Sequence, residues 1–475
     1  MVGGWSLVQA SFQVCLPGTE TEDPMIALRP RALTTSSARP RVTGLWPRFR
    51  VACAVMPLFV VASGVPATAQ YIPDIGSVEG ANIVSEEELD GAYDEARWRL
   101  GTLKIEPFLG LRDASVVSDQ DPRSPDESET DFTATVGAGL RLYAKPSAKV
   151  TFAAHALPDY VWWQDNSDRS RLNLSLGAGL FAHLNRVQFE FSYRRKEDQL
   201  FFSSELPILQ SSRRDLLKAA VEVEVSRGIK IFAVARDLDI EASDDDLPIF
   251  ARIDRSEQRA ALGVRIESRK GFWAEAAFED AEIEFEPTAR PLSNEGTTVG
   301  VGVGLNGDKL SGFVRVAFRD FEPADSRSVF TPFDDVTGGA ELLWQMNRSL
   351  SWLAFATRGQ SYALDESQSY FIADRQGLTA RLRLGRGFLQ LTGAVGEDDY
   401  ESVFGGLDRV DDVEEASAQL SFPIRDLLVV SLTGRYTEYD SNLAGFDRDI
   451  TAYGVNIRLG RLAEKLRLGR PDTEW

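Results

Sequence analysis

The sequence predicts an all-β protein, a transmembrane antiparallel up-and-down β-barrel of about eighteen strands between residues 99 and 460. Three observations predict it. Apolar and polar residues alternate with a period of two, in segments of roughly ten to fifteen residues, which is the length of a strand that crosses a bilayer. The connections alternate between short and long, as in outer-membrane barrels. There is also no apolar run of about eighteen residues that would form a membrane helix.

The alternation assigns each strand two faces. In the segment 170–183, the residues Leu172, Leu174, Leu176, Ala178 and Leu180 alternate with Arg171, Asn173, Ser175, Gly177 and Gly179. A period of two places each set on one face. A soluble sandwich would show shorter strands, and the blades of a propeller would not alternate their turn lengths, so the membrane barrel is favoured over both.

The connections separate the two ends of the predicted barrel. Short ones such as Arg227–Gly228, Asn306–Asp308 and Arg386–Gly387 suit tight hairpins, which often need a positive φ. This asymmetry predicts that the short turns and both termini are periplasmic and that the long loops are extracellular. No long loop stands out as an inward-folded constriction. The long loops are expected to carry most of the acidic runs, namely Asp119–Asp131, Asp244–Asp246, Glu397–Asp399 and Asp411–Glu415.

Residues 1–69 are predicted to be a leader with a signal peptide. Arg48 and Arg50 form its basic region, residues 51–65 its apolar region, and Ala67–Ala69 a small-x-small cleavage site. Translation could begin at Met1 or at Met25. Both cysteines of the chain precede the cleavage site, so the mature chain would contain none, which suits folding in an oxidising periplasm.

Two short segments flank the predicted barrel. Residues 70–98 are expected to be a short periplasmic N-terminal segment, in which Ser85 and Glu88 have the spacing of a helix capping box. Residues 461–475 are expected to be a C-terminal tail.

The lumen is predicted to be basic. The apolar face of each strand must contact lipid, so the polar face lines the lumen. Inward acids are expected to be fewer than inward bases, and rings of basic side chains favour anions in a pore. Arg–Glu pairs that merely fill a wet interior are the alternative. The predicted pore-lining residues are Arg141, Arg171, Arg265, Arg315, Arg319, Arg358, Arg381, Arg383, Arg435 and Arg458.

The sequence contains no pattern that predicts catalysis. His155 and His183 are the only histidines, and neither has an evident Ser or Asp partner in sequence. No metal-ligand spacing and no phosphate-binding loop occur, so neither a metal nor a cofactor is expected. The formal net charge of −20 excludes nucleic acid as a partner.

The stretch Leu100–Leu111 (LGTLKIEPFLGL), after a signal peptide and a short acidic linker, resembles the opening of the putative β-barrel porin 2 group. This resemblance implies an outer-membrane barrel of a Gram-negative bacterium. It also implies a link to the export of exopolysaccharide or capsule, since several members of the group have one.

Three functions are compatible with these predictions. The first is a conduit for an anionic exopolysaccharide, with a polysaccharide synthesis or export machine as a partner. The second is a general or small-anion diffusion porin, which an inward-folded loop would favour. The third is a structural or adhesion barrel that works through its acidic loops. In each case outer-membrane lipid and lipopolysaccharide are expected to surround the barrel.

Overall fold

The computed structural model describes residues 83–120, 129–201, 209–242, 254–286, 291–365, 367–403, 408–424 and 428–459. The predicted signal peptide and C-terminal tail lie outside these residues. The described chain contains the helix α1 (Glu86–Glu95), a short 3₁₀ turn (Ser167–Arg169) and a single sheet. Its strands are β1 (Trp98–Leu100), β2 (Leu103–Gln120), β3 (Glu129–Ser147), β4 (Val150–Trp163), β5 (Arg171–Leu184), β6 (Val187–Phe201), β7 (Leu209–Ser226), β8 (Ile229–Ala242), β9 (Arg255–Glu267), β10 (Phe272–Phe285), β11 (Asn294–Asn306), β12 (Leu310–Pro323), β13 (Phe333–Gln345), β14 (Leu350–Tyr362), β15 (Gln368–Leu384), β16 (Gly387–Ser402), β17 (Arg409–Ile424), β18 (Leu428–Ser441) and β19 (Arg448–Leu459).

Strands β2 to β19 form a closed antiparallel barrel of eighteen strands, which confirms the predicted fold class. Each strand pairs with its neighbours in sequence, and β19 returns to pair with β2, for example through Tyr453 and Val116. The short strand β1 adds one further pairing to the start of β2. Because the barrel closes, each of these eighteen strands has a neighbour on both sides, which is the condition for a β-structure to cross a bilayer.

One end of the barrel consists of tight turns. Gly228 and Gly385 adopt φ values of +76° and +62° in the β7–β8 and β15–β16 connections, a conformation that glycine reaches without a steric penalty. We call this the tight-turn end, and the opposite end, where the longer connections lie, the long-loop end. Among the described residues, no helix is long and apolar enough to cross a membrane.

The two faces of the wall differ as the alternation predicts. On β11, Val299, Val301 and Val303 are 55%, 60% and 57% exposed, while Gly300 and Gly302 between them are buried. Apolar side chains that point away from the barrel in this way meet hydrocarbon. The intervening residues therefore line the lumen.

The strands extend beyond the apolar band at the long-loop end. In register, Asp280, Thr297, Asp320 and Asp334 form one row across β10 to β13, and their side chains share the outward face. Such carboxylates belong outside the hydrocarbon. We call the exposed outward carboxylates at and beyond this level the acidic collar, which includes Asp280, Glu282, Glu284, Glu295, Asp320, Glu322, Asp334, Glu397, Asp399, Asp412 and Glu414.

Two of the acidic runs lie in strands and not in the long loops, where they were predicted. Glu397–Asp399 and Asp411–Glu415 were predicted in long loops but lie within β16 and β17. The reason is that strand pairing continues past the membrane, where outward side chains are hydrated and alternation no longer has to be apolar. Asp244–Asp246 and most of Asp119–Asp131 fall outside the described residues.

The helix α1 begins where the sequence predicts a cap. The Glu88 backbone N–H donates to Ser85 Oγ at 3.3 Å, and the Ser85 N–H donates to Glu88 Oε2 at 3.2 Å. This reciprocal arrangement satisfies two backbone donors at the helix start. The helix does not stand clear of the barrel, because Leu89 packs against side chains of the lumen face.

One hairpin leaves the wall. The pairing of β13 with β14 stops at Gly338 and Arg358, although β14 continues to Tyr362 while still paired with β15. We call residues 359–365 and 367–371, at the end of the β14–β15 hairpin, the inward hairpin, since Tyr362 reaches Asn294 on the lumen face of β11. No long loop stands out in the sequence as an inward-folded one, because alternation does not encode the contact between Tyr362 and Asn294.

Candidate functional site

The lumen wall is the candidate functional site, and most of the arginines predicted for it lie on its inner face. Their positions follow from the register and from their alternation with exposed apolar residues. On the lumen face lie Arg141, Arg171, Arg265, Arg315, Arg319, Arg381, Arg383, Arg435 and Arg458.

Arg358 differs from the other nine. It shares the face of Trp352 and Ala356, which is the outward face of β14. Its guanidinium lies 2.7 Å from Asp335 Oδ2 and also pairs with Asp374. Arg358 was predicted to face the lumen because an outward arginine within the bilayer would meet lipid. In the structure it lies near the level of the acidic collar, where β14 separates from β13.

One side of the lumen, which we call the paired wall, consists of β8 to β12 and carries basic and acidic side chains in alternation. Glu275 accepts from Arg265 Nη2 at 2.6 Å and from Arg315 Nε at 2.7 Å. Both guanidinium groups also lie over the ring of Trp273, at 5.0 and 5.5 Å. These arginines are therefore held by a carboxylate and a ring, and much of their charge is neutralised locally.

The same pattern continues towards the long-loop end of the paired wall. Glu257 is 3% exposed and lies between Arg255 Nε at 2.8 Å and Arg259 Nη2 at 2.7 Å. None of these three residues was predicted from the sequence to line the lumen. Arg255 and Arg259 have the same parity as Arg265 on β9, so the alternation could have revealed them.

The opposite side, which we call the basic wall, consists of the tight-turn halves of β15 to β19. Its lumen-facing residues lie at alternate positions of 377–383, 388–394, 417–423, 429–435 and 452–458. None of these positions carries Asp or Glu, whereas Arg381, Arg383, Arg435 and Arg458 are among them. The basic wall thus presents positive charge without a carboxylate of its own.

The contacts of the basic wall involve rings, hydroxyls and backbone. Arg381 lies 3.7 Å from the ring centroid of Phe388, and Arg435 Nε donates to Thr437 Oγ1 at 3.2 Å. Hydroxyl pairs such as Ser421 and Ser431, 2.7 Å apart, fill the intervening positions. A surface of hydroxyls and guanidinium groups can exchange contacts with a passing anion.

The inward hairpin closes part of the long-loop end. The Tyr362 hydroxyl and the Asn294 amide lie 3.0 Å apart, and Tyr362 stacks edge-on against Phe285 with ring centroids 5.0 Å apart. The Arg255 guanidinium lies 4.8 Å from the same tyrosine ring.

The β12–β13 connection also holds the inward hairpin in place. Thr331 N–H, in the β12–β13 connection, donates to Ser369 Oγ at 3.1 Å, and the Tyr370 hydroxyl donates to Pro332 O at 3.3 Å. A buried apolar cluster surrounds these contacts and joins the hairpin to β10, β12 and β13. It comprises Ala281, Ile283, Phe285, Leu292, Phe321, Phe330, Phe333, Tyr362 and Tyr370.

Within the described residues, no group of His, Cys, Asp and Glu side chains could hold a metal ion. His155 Nε2 lies 3.2 Å from Ser175 Oγ, a contact between neighbouring strands on the lumen face that sequence spacing did not reveal. His183 Nε2 lies 3.0 Å from the backbone oxygen of Val84. Both histidines are therefore part of the wall and of its contacts with the N-terminal segment.

The model of the family described as Putative beta-barrel porin 2 matches residues 263–461. This match lies over later strands of the barrel and supports the family that the stretch Leu100–Leu111 resembles. No curated protein matches the chain. Neither the family description nor the names of the structures below mention a polysaccharide.

Similar solved structures include OpdL of Pseudomonas aeruginosa, at 14% identity and a TM-score of 0.43, over 75% of this chain and 98% of that one. A BenF-like porin of Pseudomonas fluorescens Pf-5 has 9% identity and a TM-score of 0.45, over 76% and 100%. OccAB3 of Acinetobacter baumannii has 13% identity and a TM-score of 0.44, over 76% and 99%.

Proposed function

We propose that this porin-like outer-membrane β-barrel, which matches the putative beta-barrel porin 2 family, is a diffusion channel for small anionic solutes. It is a channel rather than an enzyme. In this proposal the tight-turn end faces the periplasm, the long-loop end faces the exterior, and outer-membrane lipid and lipopolysaccharide surround the apolar band.

The charge of the basic wall is the observation on which the proposal rests. A pore selects by the charge that remains on its lining after internal pairing. The arginines of the paired wall share Glu257 and Glu275, whereas the lumen-facing positions of the basic wall include four arginines and no acid. An anion that enters the lumen therefore meets its most favourable potential along the tight-turn halves of β15 to β19.

The inward hairpin favours small solutes over a polymer. Tyr362 and its apolar cluster occupy the lumen next to β9–β13 at the long-loop end, and the contact of Tyr362 with Asn294 fixes them there. A narrowed vestibule suits a solute that passes in one orientation. A conduit for a continuous polysaccharide would need this hairpin to move away.

Export of an anionic exopolysaccharide, with a synthesis or export machine as partner, is the competing proposal. It shares the basic wall with the porin and follows from the family resemblance. Deleting the gene in a strain that secretes such a polymer separates the two, because a diffusion porin predicts unchanged secretion. The structural or adhesion barrel differs from both by predicting no conductance.

The test is ion conductance of the purified, refolded protein in planar bilayers with a KCl gradient. We expect a reversal potential displaced towards the chloride equilibrium potential. A reversal potential on the potassium side would contradict the proposal, and so would a barrel that stays non-conducting after its N-terminal segment has been released as described below.

A further inference from the structure

The segment before the first strand lies inside the lumen. Leu89 of α1 is 1% exposed and packs with Tyr143 and Phe181, which are lumen-facing residues of β3 and β5. Upstream of the helix, Ile83 packs against the cluster of Phe232, a lumen-facing residue of β8. The segment therefore passes across the lumen of the tight-turn half, from one part of the wall to another.

The wall offers this segment a built receptacle. The Val84 backbone N–H donates to Glu190 Oε2 at 3.3 Å, and the Val84 carbonyl lies 3.0 Å from His183 Nε2. Glu190 is fully buried and also accepts from Lys218 Nζ at 3.1 Å. Both backbone groups of one residue are thus matched by wall side chains, which gives the segment a defined position.

Ion pairs hold the helix at the tight-turn opening of the barrel, which we call the mouth. Lys145 pairs with Asp90, and Lys104 Nζ lies 3.3 Å from Asp94 Oδ1. The Tyr93 ring lies beneath both lysines, at 4.2 and 5.1 Å. The two lysines of the mouth therefore already hold carboxylates. The helix carries six acidic residues, Glu86, Glu87, Glu88, Asp90, Asp94 and Glu95.

The helix is held less strongly than the barrel. It has ten residues with Gly91 in its middle, and an isolated helix of this length is marginal in water. Ion pairs such as that of Asp94, which is 80% exposed, are weak and screened by salt. The barrel strands, in contrast, pair with both neighbours over most of their length. The segment can therefore leave its receptacle while the barrel stays folded.

From these contacts we infer that α1 is a resident acidic plug. Its carboxylates occupy Lys104 and Lys145 in place of a small anionic solute, and anions pass the tight-turn end when α1 is displaced. The inference rests on the proposed anion pathway. It adds a binding site for anions at the mouth and names the part of the chain that competes for it.

The first test is a release variant with a matched control. Leu89→Glu adds a charge to the buried contact with Tyr143 and Phe181, and we expect higher conductance than in the native chain at low salt. Gly91→Glu adds the same side chain where a Cβ would have nothing within 4 Å, and we expect no increase in conductance above that of the native chain. Equal conductance of the native chain and Leu89→Glu would overturn the plug.

The second test uses the native chain and does not depend on a variant that folds. Hydrogen exchange of the amides of residues 84–95 is measured in detergent, in sodium chloride and in inorganic phosphate at equal ionic strength. Competition for the lysines predicts faster exchange in phosphate, with unchanged exchange in the barrel strands. Equal exchange of the segment in the two salts would contradict competition.

The plug and the proposed function fail in different ways. If Leu89→Glu opens a pore that prefers potassium, the anion channel is wrong and the plug stands. If the native chain and both variants conduct chloride equally, the channel stands and the plug is wrong.

Discussion

Arginine side chains have different surroundings in the paired wall and in the basic wall. In the paired wall, Glu257 is 3% exposed between two arginines, and Glu275 bridges two more. In the basic wall, whose lumen-facing positions carry no Asp or Glu, Arg381 contacts a ring and Arg435 contacts a hydroxyl. We propose that the position of carboxylates, and not the number of arginines, decides whether a stretch of lumen stabilises the barrel or attracts a solute.

The comparison predicts the largest loss of stability in the paired wall. Glu257→Gln leaves Arg255 and Arg259 buried beside each other without their shared carboxylate, and removal of one partner from a buried ion pair costs about 3–5 kcal/mol. Urea unfolding in lipid vesicles, followed by heat-modifiable gel mobility, measures the loss. The control is Glu414→Gln in the acidic collar, which should unfold like the parent. An unchanged midpoint for Glu257→Gln would remove the structural role of the paired wall.

The next effect tests the register of the basic wall. Leu432 is 52% exposed on the outward face of β18, so Leu432→Arg should cost roughly 2–4 kcal/mol near the bilayer midplane. Thr433→Arg points into the lumen and should cost little while strengthening the preference for anions. The same unfolding measurement compares the two. Equal costs would mean that the faces of β18 are not lipid and lumen.

A smaller effect concerns selectivity. Replacing Arg381, Arg435 and Arg458 together by Gln should lower the chloride-to-potassium permeability ratio on the order of tenfold, or about 1.4 kcal/mol. The control removes one charge of each sign from the paired wall through Arg265→Gln with Glu275→Gln, and it should leave the ratio nearly unchanged. Reversal potentials measure both. A larger shift in the control would show that the paired wall sets selectivity.

The smallest effect tests the inward hairpin. Tyr362→Phe removes the hydroxyl that contacts Asn294, and a hydrogen bond of this kind contributes about 0.5–1.5 kcal/mol. We expect noisier open-channel currents in planar bilayers, because the hairpin is held less firmly. Tyr160→Phe, on the outward face of β4, provides the control and should leave the current noise unchanged. Identical noise in the Tyr362 variant would mean that this contact does not limit the motion of the hairpin.

The fold was predictable because a membrane barrel has a local rule. Alternation such as that of Val299 to Val303 with Gly300 and Gly302 is imposed by lipid on one face and water on the other, and it needs no knowledge of distant residues. The same rule assigns Arg265 and Arg381 to the face opposite that of the exposed apolar residues. It also assigns Arg255 and Arg259 to the lumen face, because they have the same parity on β9 as Arg265, although we did not predict them.

The remaining features depend on contacts that alternation does not encode. The inward hairpin is fixed by Tyr362 and Asn294, which are 68 positions apart in sequence. Val84 and Glu190, which seat the N-terminal segment, are 106 positions apart. Arg358 shows the limit of the rule itself, since alternation loses its meaning where a strand leaves the bilayer.

The acidic collar also fixes how deeply the barrel is immersed. Asp280, Asp320 and Asp334 lie in one register row, directly above outward residues such as Phe278 and Phe318. Sinking the barrel by two residues per strand would dehydrate this row, and raising it by two would expose the apolar band to water. Both displacements are unfavourable. The vertical position of the barrel in the membrane is therefore fixed to within about two residues, roughly 7 Å along a strand.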